Sequence, residues 1–172
     1  MSALTDFRAD KDRSFGGDPH SPLTPDQRRD FSGLAYFAEN TSLRFCVQPE
    51  LLNDPTPVQL ALSTGEAVEY IRWGRVSFEV GGAPVTLTVF RAAEDDYLFL
   101  PFRDVTNDAD TYGAGRYLEP DIDPSGSLVL DFNYAYNPYC AYNENWSCPL
   151  TPAENVLDVA IAAGEKRLPG GH

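Results

Sequence analysis

Histidine is almost missing from this chain: 172 residues contain two, His20 and His172. The commonest general base and the commonest metal ligand are thus scarce, so neither a Ser-His-Asp machinery nor a metal site is expected. Long apolar runs are missing too. Nothing approaches the ~20 consecutive apolar residues that span a bilayer, so no membrane segment is expected. Positive charge is short: 13 Lys and Arg stand against 26 Asp and Glu, a net charge of -13. That balance repels phosphate backbones and anionic lipids, which argues against nucleic acid and membrane surfaces as partners. Three cysteines, Cys46, Cys140 and Cys148, are an odd count that suits reduced thiols better than a secreted disulfide framework. The first 15 residues are rich in charge and carry no apolar leader, so the chain reads as cytoplasmic.

What is present belongs to an ordinary soluble domain, with 42% hydrophobic and 23% charged residues. Phe7, Lys11 and Phe15 recur at four-residue spacing and predict a short helix over residues 5–15. Thr24-Pro25-Asp26-Gln27 has a capping hydroxyl, a proline at the first helical position and a glutamine three residues after the cap, the pattern of a helix start. From Leu43 onward the apolar period changes to two. Leu43, Phe45 and Val47 alternate with polar neighbours, as do Val58 and Leu60, then Val76, Phe78 and Val80, then Val85, Leu87 and Val89. Gly81-Gly82 predicts a hairpin turn and Glu94-Asp95-Asp96 another. The runs 97–102, 128–134 and 156–161 complete the strand set. Short strands without long helical patterns between them predict an antiparallel β-barrel or sandwich. We therefore expect one domain over 1–172: an amino-terminal flap with short helices (1–42) across a β domain (43–166).

Gly113-Ala114-Gly115 lacks the lysine of a phosphate loop and the strand-to-helix setting of a dinucleotide site, so it reads as a turn and no cofactor is expected. Cys140 and Cys148 are spaced too widely for a zinc knuckle, and Pro138 and Pro149 restrict the loop that joins them. The two thiols are predicted to be close in space, as small buried side chains or as a disulfide. A strand over 128–134 puts Asp131 and Asn133 on one face about 6.6 Å apart. That face is either simply solvated or touches one small ligand. Arg116 is the one base in an otherwise acidic segment, suited to pairing a buried aspartate, Asp104 or Asp131, or to holding an anionic ligand. Tyr136, Asn137, Tyr139, Tyr142 and Trp146 interleave aromatic and amide side chains, a composition shared by ligand-binding loops and tightly folded ones.

The motifs Pro101-Phe102-Arg103-Asp104-Val105-Thr106, Thr111-Tyr112-Gly113-Ala114-Gly115-Arg116-Tyr117-Leu118 and Ala135-Tyr136-Asn137-Pro138-Tyr139-Cys140-Ala141-Tyr142 are long and specific. With Asp131-Phe132-Asn133, Cys148-Pro149-Leu150 and Ala163-Gly164-Glu165-Lys166, they resemble the prokaryotic family catalogued as domain of unknown function 1684. Asn107 stands where a glycine is more usual. The resemblance implies one mainly β domain and no assigned activity. The residues themselves support a domain that binds a small polar or anionic ligand in a pocket formed by Asp104, Tyr112, Arg116, Asp131, Asn133 and Tyr136, with Asn137, Cys140 and Tyr142 nearby. The competing expectation is a hydrolase or isomerase in which Asp104 or Asp131 is the base, Arg116 holds an anionic group and Cys140 serves as nucleophile.

Overall fold

A computed structural model describes residues 2–53 and 55–169; His172 lies outside them. The amino-terminal helix α1 (Ala3–Gly17) begins two residues before its predicted start because the Ser2 hydroxyl accepts from the Thr5 amide. Helix α2 (Pro25–Asp30) has the predicted capping box, with Thr24 and Gln27 satisfying each other's amides. It ends at Phe31, before Gly33.

The rest is mainly antiparallel sheet. Strands β1 (Arg44–Val47), β2 (Glu50–Leu51), β3 (Pro57–Ala61), β4 (Ala67–Val80), β5 (Ala83–Ala92), β6 (Leu98–Phe102), β7 (Arg116–Leu118), β8 (Asp121–Ile122) and β9 (Leu128–Asp131) follow in order. They form a three-stranded sheet, β1-β9-β8, and a six-stranded sheet in which β2 and β3 both pair with β4, followed by β5, β6 and β7. The arrangement is sandwich-like, without a closed barrel. The β4–β5 hairpin turns at Gly81-Gly82, whose φ angles of 56° and 85° match a primed turn that residues with a Cβ resist.

The main core lies between the sheets. Val76, Phe78, Val85, Leu87 and Val89 of β4 and β5 meet Leu128, Leu130 and Phe132, with Leu100 and Phe102 of β6 between them. Each large apolar side chain so buried contributes about 1.5–3 kcal/mol relative to exposure. β6 is buried at all five positions, because Phe99 turns to a second cluster with Tyr70, Phe90 and Tyr117 on the other side of the sheet.

Two predicted strands differ from expectation. The run 128–134 is strand only to Asp131, and Phe132–Tyr134 form a 3-10 turn capped by the Asp131 carboxylate, which accepts from the Asn133 amide. An aspartate at that point offers the backbone a side-chain acceptor in place of the ladder. The run 156–161 keeps its alternation, with Leu157 and Ile161 buried and Asp158 exposed, but forms no regular strand. Its backbone bonds go elsewhere: Leu157 donates to the Arg103 carbonyl, whereas Ile161 donates to the Asp104 carboxylate and accepts from Arg116.

Just before that run, Asn155 is fully buried and acts as a sheet insert. Its amide group donates to the carbonyls of Thr88 and Pro101 and accepts from the Thr88 amide, bridging β5 and β6. Beside it, Glu154 pairs with Arg72 at 2.8 Å and accepts from the Thr88 hydroxyl at 2.7 Å. Arg72, then Thr88, hold the Glu154 carboxyl below its ordinary value of 4.5. A carboxylate depressed by folding stabilises the protein above its unfolded value, and that contribution is lost as pH falls through the folded one. Thermal unfolding of Glu154→Gln should therefore fall below that of the parent at neutral pH and converge on it in acid; a constant gap across pH would contradict the pairing.

Candidate functional site

The residues expected to line one polar pocket divide into four places. Arg116 and Asp104 meet, as predicted, with Nη2 and Oδ1 3.4 Å apart. Both are sealed from solvent, and the guanidinium also donates to the carbonyls of Ile161, Ala163 and Glu165. Asp104 accepts from the Thr106 hydroxyl and the Ile161 amide. Burial lowers the Arg116 pKa, while Asp104 opposes the shift. With Nη1 and Nη2 engaged by these partners and the side chain sealed from solvent, Arg116 clamps the carboxy-terminal segment to the β domain and offers no open face to a ligand; its Nε is buried without a partner among the described residues. Asn107 pins the adjoining loop, accepting from the Asp104 amide and donating to Thr111 and the Tyr112 carbonyl. The left-handed conformation falls one residue later, on Asp108 at φ 67°.

A second group joins α1 to the body. The buried Glu165 carboxylate pairs with Lys11 and accepts from the Tyr142 hydroxyl at 2.6 Å and the Asn137 amide at 3.2 Å. Burial, then the Glu165 charge, pushes the Tyr142 phenol well up. Asn137 also donates to Tyr142 and to the Lys166 carbonyl. Arg8 reaches the carbonyls of Phe37 and Asn133, and Phe15 packs edge-on to Tyr142. Asn133 is buried, exchanging hydrogen bonds with the Asn40 backbone and donating to the Asp131 carboxylate at 2.9 Å. Tyr112 and Cys140 contact each other at 3.6 Å in a third group with Cys148.

Asp131 and Tyr136 of the expected set line an open groove, which has a volume of about 460 Å³. Strand parity explains its floor. Leu128 and Leu130 of β9 enter the core, so Val129 and Asp131 face outward, and register puts Arg44 of β1 opposite Asp131 and Asp121 of β8 opposite Val129. Phe7 of α1 and Tyr134, edge-on at 5.0 Å, form one wall, and Leu118, Glu119 and Tyr136 form the other. Arg44 and Asp131 are 3.6 Å apart. The Tyr136 hydroxyl donates to Glu119 at 2.7 Å; burial first, then this bond, raises its pKa. The Asp121 side chain has no hydrogen-bond or ion-pair partner among the described residues. The groove thus carries three carboxylates against one arginine, between aromatic walls. Such a site attracts a cation with an apolar body. Arg44, Glu119, Asp121, Tyr134 and Phe7 were not expected at a ligand site, since their convergence depends on the β1-β9-β8 register and on how α1 docks.

Among the described residues no group of three or more His, Cys, Asp and Glu is arranged to hold a metal, and no helix is long and apolar enough to cross a membrane.

The fold and groove define a mainly antiparallel β protein with an external acidic and aromatic cleft. The profile of the family described as "Protein of unknown function (DUF1684)" matches residues 29–166, and the chain belongs to that family. It is similar to an uncharacterized protein of Haloarcula marismortui solved in solution by NMR, with 40% identity, coverage of 95% of this chain and 91% of that one, and a TM-score of 0.74. No curated protein matches it.

Proposed function

We propose that this protein binds a small organic cation, an ammonium or guanidinium group on an apolar body, in the groove between the β1-β9-β8 sheet and α1. The supporting observation is the pairing of aromatic walls, Phe7, Tyr134 and Tyr136, with the carboxylates of Glu119, Asp121 and Asp131. This turns the expected ligand from anionic to cationic, because the arginine assigned to an anion is Arg116, buried in the clamp, and the groove's own Arg44 sits beside Asp131. Asp104 and Arg116, the base and anion holder named in the enzymatic alternative, are buried against each other and so do not support it.

Two probes with nearly the same body and opposite charge test the reading. Phenethylammonium should shift the amide resonances of Asp121, Val129 and Tyr134, and 3-phenylpropionate should not. Asp121→Asn and Glu119→Gln should each weaken phenethylammonium binding by up to about five-fold, the value of one exposed ion pair near 1 kcal/mol. Equal binding of the carboxylate, or no shift with the ammonium, would overturn the proposal.

A further inference from the structure

Apart from the groove and the clamp, the third polar group brings together two free, buried thiols. Cys140 lies in the 3-10 turn Tyr139–Ala141, which follows Pro138, and Cys148 lies at the far end of the loop, before Pro149. The Cys140 amide donates to the Cys148 sulfur at 3.4 Å, so the loop returns one sulfur to the backbone of the other. The Tyr112 hydroxyl is 3.6 Å from the Cys140 sulfur. Ser63 ties the far end down: its hydroxyl accepts from the Cys148 amide at 3.1 Å, and its own amide donates to the Cys148 carbonyl at 2.9 Å. Two cysteines held this way by separate elements are a pre-arranged dithiol. Simple core packing by small apolar residues would not need Tyr112 or Ser63 beside them.

We propose that Cys140 and Cys148 form a redox couple in which a small hydroperoxide oxidises Cys140 and Cys148 resolves the product to a disulfide across the loop. In the first step the Cys140 thiolate attacks the terminal oxygen of the hydroperoxide. An S–O bond forms, the O–O bond breaks, and the departing alkoxide or hydroxide takes a proton from solvent. In the second step the Cys148 sulfur attacks the Cys140 sulfenic acid. An S–S bond forms, the S–O bond breaks, and the oxygen leaves as water with the proton from Cys148. Two thiols and one hydroperoxide thus become one disulfide, one alcohol (water, for hydrogen peroxide) and one water, and an external dithiol restores the reduced state by exchange.

The roles of the two sulfurs follow from their neighbours. The neighbouring Cys148 thiol first, then the Tyr112 hydroxyl 3.6 Å from its sulfur, favour the charged form and lower the Cys140 thiol to about 6 against the opposing effect of burial. The same contact with Cys140, then burial, pushes the Cys148 thiol up. Cys140 is the attacking thiolate and Cys148 the proton-bearing resolving thiol. The enclosure favours a peroxide of few atoms, because both residues are more than nine-tenths buried.

The test uses the full chain carrying Cys46→Ser, which removes the exposed third thiol. One equivalent of hydrogen peroxide should produce a loss of two hydrogens by intact mass, a single peptide link between residues 140 and 148, and full reversal by dithiothreitol. Adding Cys148→Ser should stop the reaction at a sulfenic acid on Cys140 that dimedone traps. Adding Cys140→Ser should abolish oxidation. The rate of Cys140 oxidation should change by less than about two-fold between about pH 7 and 8, where an ordinary thiol near 8.5 gains several-fold. Tyr112→Phe should restore part of that pH dependence while leaving the fold intact by circular dichroism. Two alkylatable thiols after peroxide treatment of the folded protein, or trapping at Cys148 in place of Cys140, would overturn the proposal.

Discussion

Arg116→Met should cost at least about 3–5 kcal/mol of folding stability, the range for breaking a buried ion pair by removing one partner. The substitution leaves Asp104 as a buried carboxylate without its cation and withdraws donors from the carbonyls of Ile161, Ala163 and Glu165. Each stranded buried acceptor adds about 1–3 kcal/mol where water cannot enter. Against a total stability of about 5–15 kcal/mol for a domain, that is enough to unfold much of the population at room temperature. Urea titration followed by far-ultraviolet circular dichroism measures it directly. Arg116→Lys keeps the charge but not the planar fork that serves several acceptors at once, so its midpoint should lie between the two. A midpoint for Arg116→Met equal to the parent's would remove the clamp from the account of this fold.

Glu165→Ala should release α1. Lys11 is mostly buried against Glu165, and the same carboxylate receives Tyr142 and Asn137, so one side chain ties the helix, the aromatic loop and the carboxy-terminal segment together. Its neighbour Gly164 sits at φ 81° with the Ala135 and Phe132 carbonyls so close that a Cβ would lie under 3 Å from both, which fixes the direction from which Glu165 enters. Removing the carboxylate strands Lys11 and two buried donors, an expected loss of about 3 kcal/mol or more. Because Arg8, Leu4 and Phe15 still hold the helix in part, limited proteolysis is the sharper readout: cleavage within residues 18–42 should accelerate at least ten-fold. Glu165→Gln, which keeps acceptors for Tyr142 and Asn137, should show a smaller acceleration. Detachment of α1 also takes Phe7 from the groove wall, so phenethylammonium binding should weaken in parallel. Parent-like proteolysis of Glu165→Ala would show that the apolar contacts alone secure the helix.

The strand set was legible because each strand with one buried face must alternate, and Val76, Phe78 and Val80 or Val85, Leu87 and Val89 show that period without reference to any partner. The α2 start was legible for the same reason: Thr24 and Gln27 satisfy each other within three residues. Family membership came from contiguous motifs, also local. That Arg116 meets a buried aspartate could be anticipated, because it is an isolated base in an acidic segment and a buried carboxylate needs a cation; that the aspartate is Asp104 and not Asp131 was decided by the fold. The closeness of Cys140 and Cys148 followed from the prolines that limit the loop, and the structure brings them together.

The sequence alone therefore determined the mainly β character, the hairpin turns, the cap of α2 and the approach of Cys140 to Cys148, all set by residues that lie near one another in the chain or share one periodic pattern. The tertiary structure decided where the polar residues face. Asp131 and Asn133 no longer share one strand face, because after residue 131 a side-chain cap replaced the ladder and Asn133 donates to the Asp131 carboxylate, and residues 156–161 kept their alternation while their backbone bonds went partly to Asp104 and Arg116. The groove exists because Arg44, Asp121 and Asp131 come from three strands whose register is set by apolar faces on the opposite side, with Phe7 delivered by a helix more than a hundred residues away in sequence from Tyr134. Contacts of that kind have no local signature, since the free energy that aligns them is the burial of other residues in the core between the sheets.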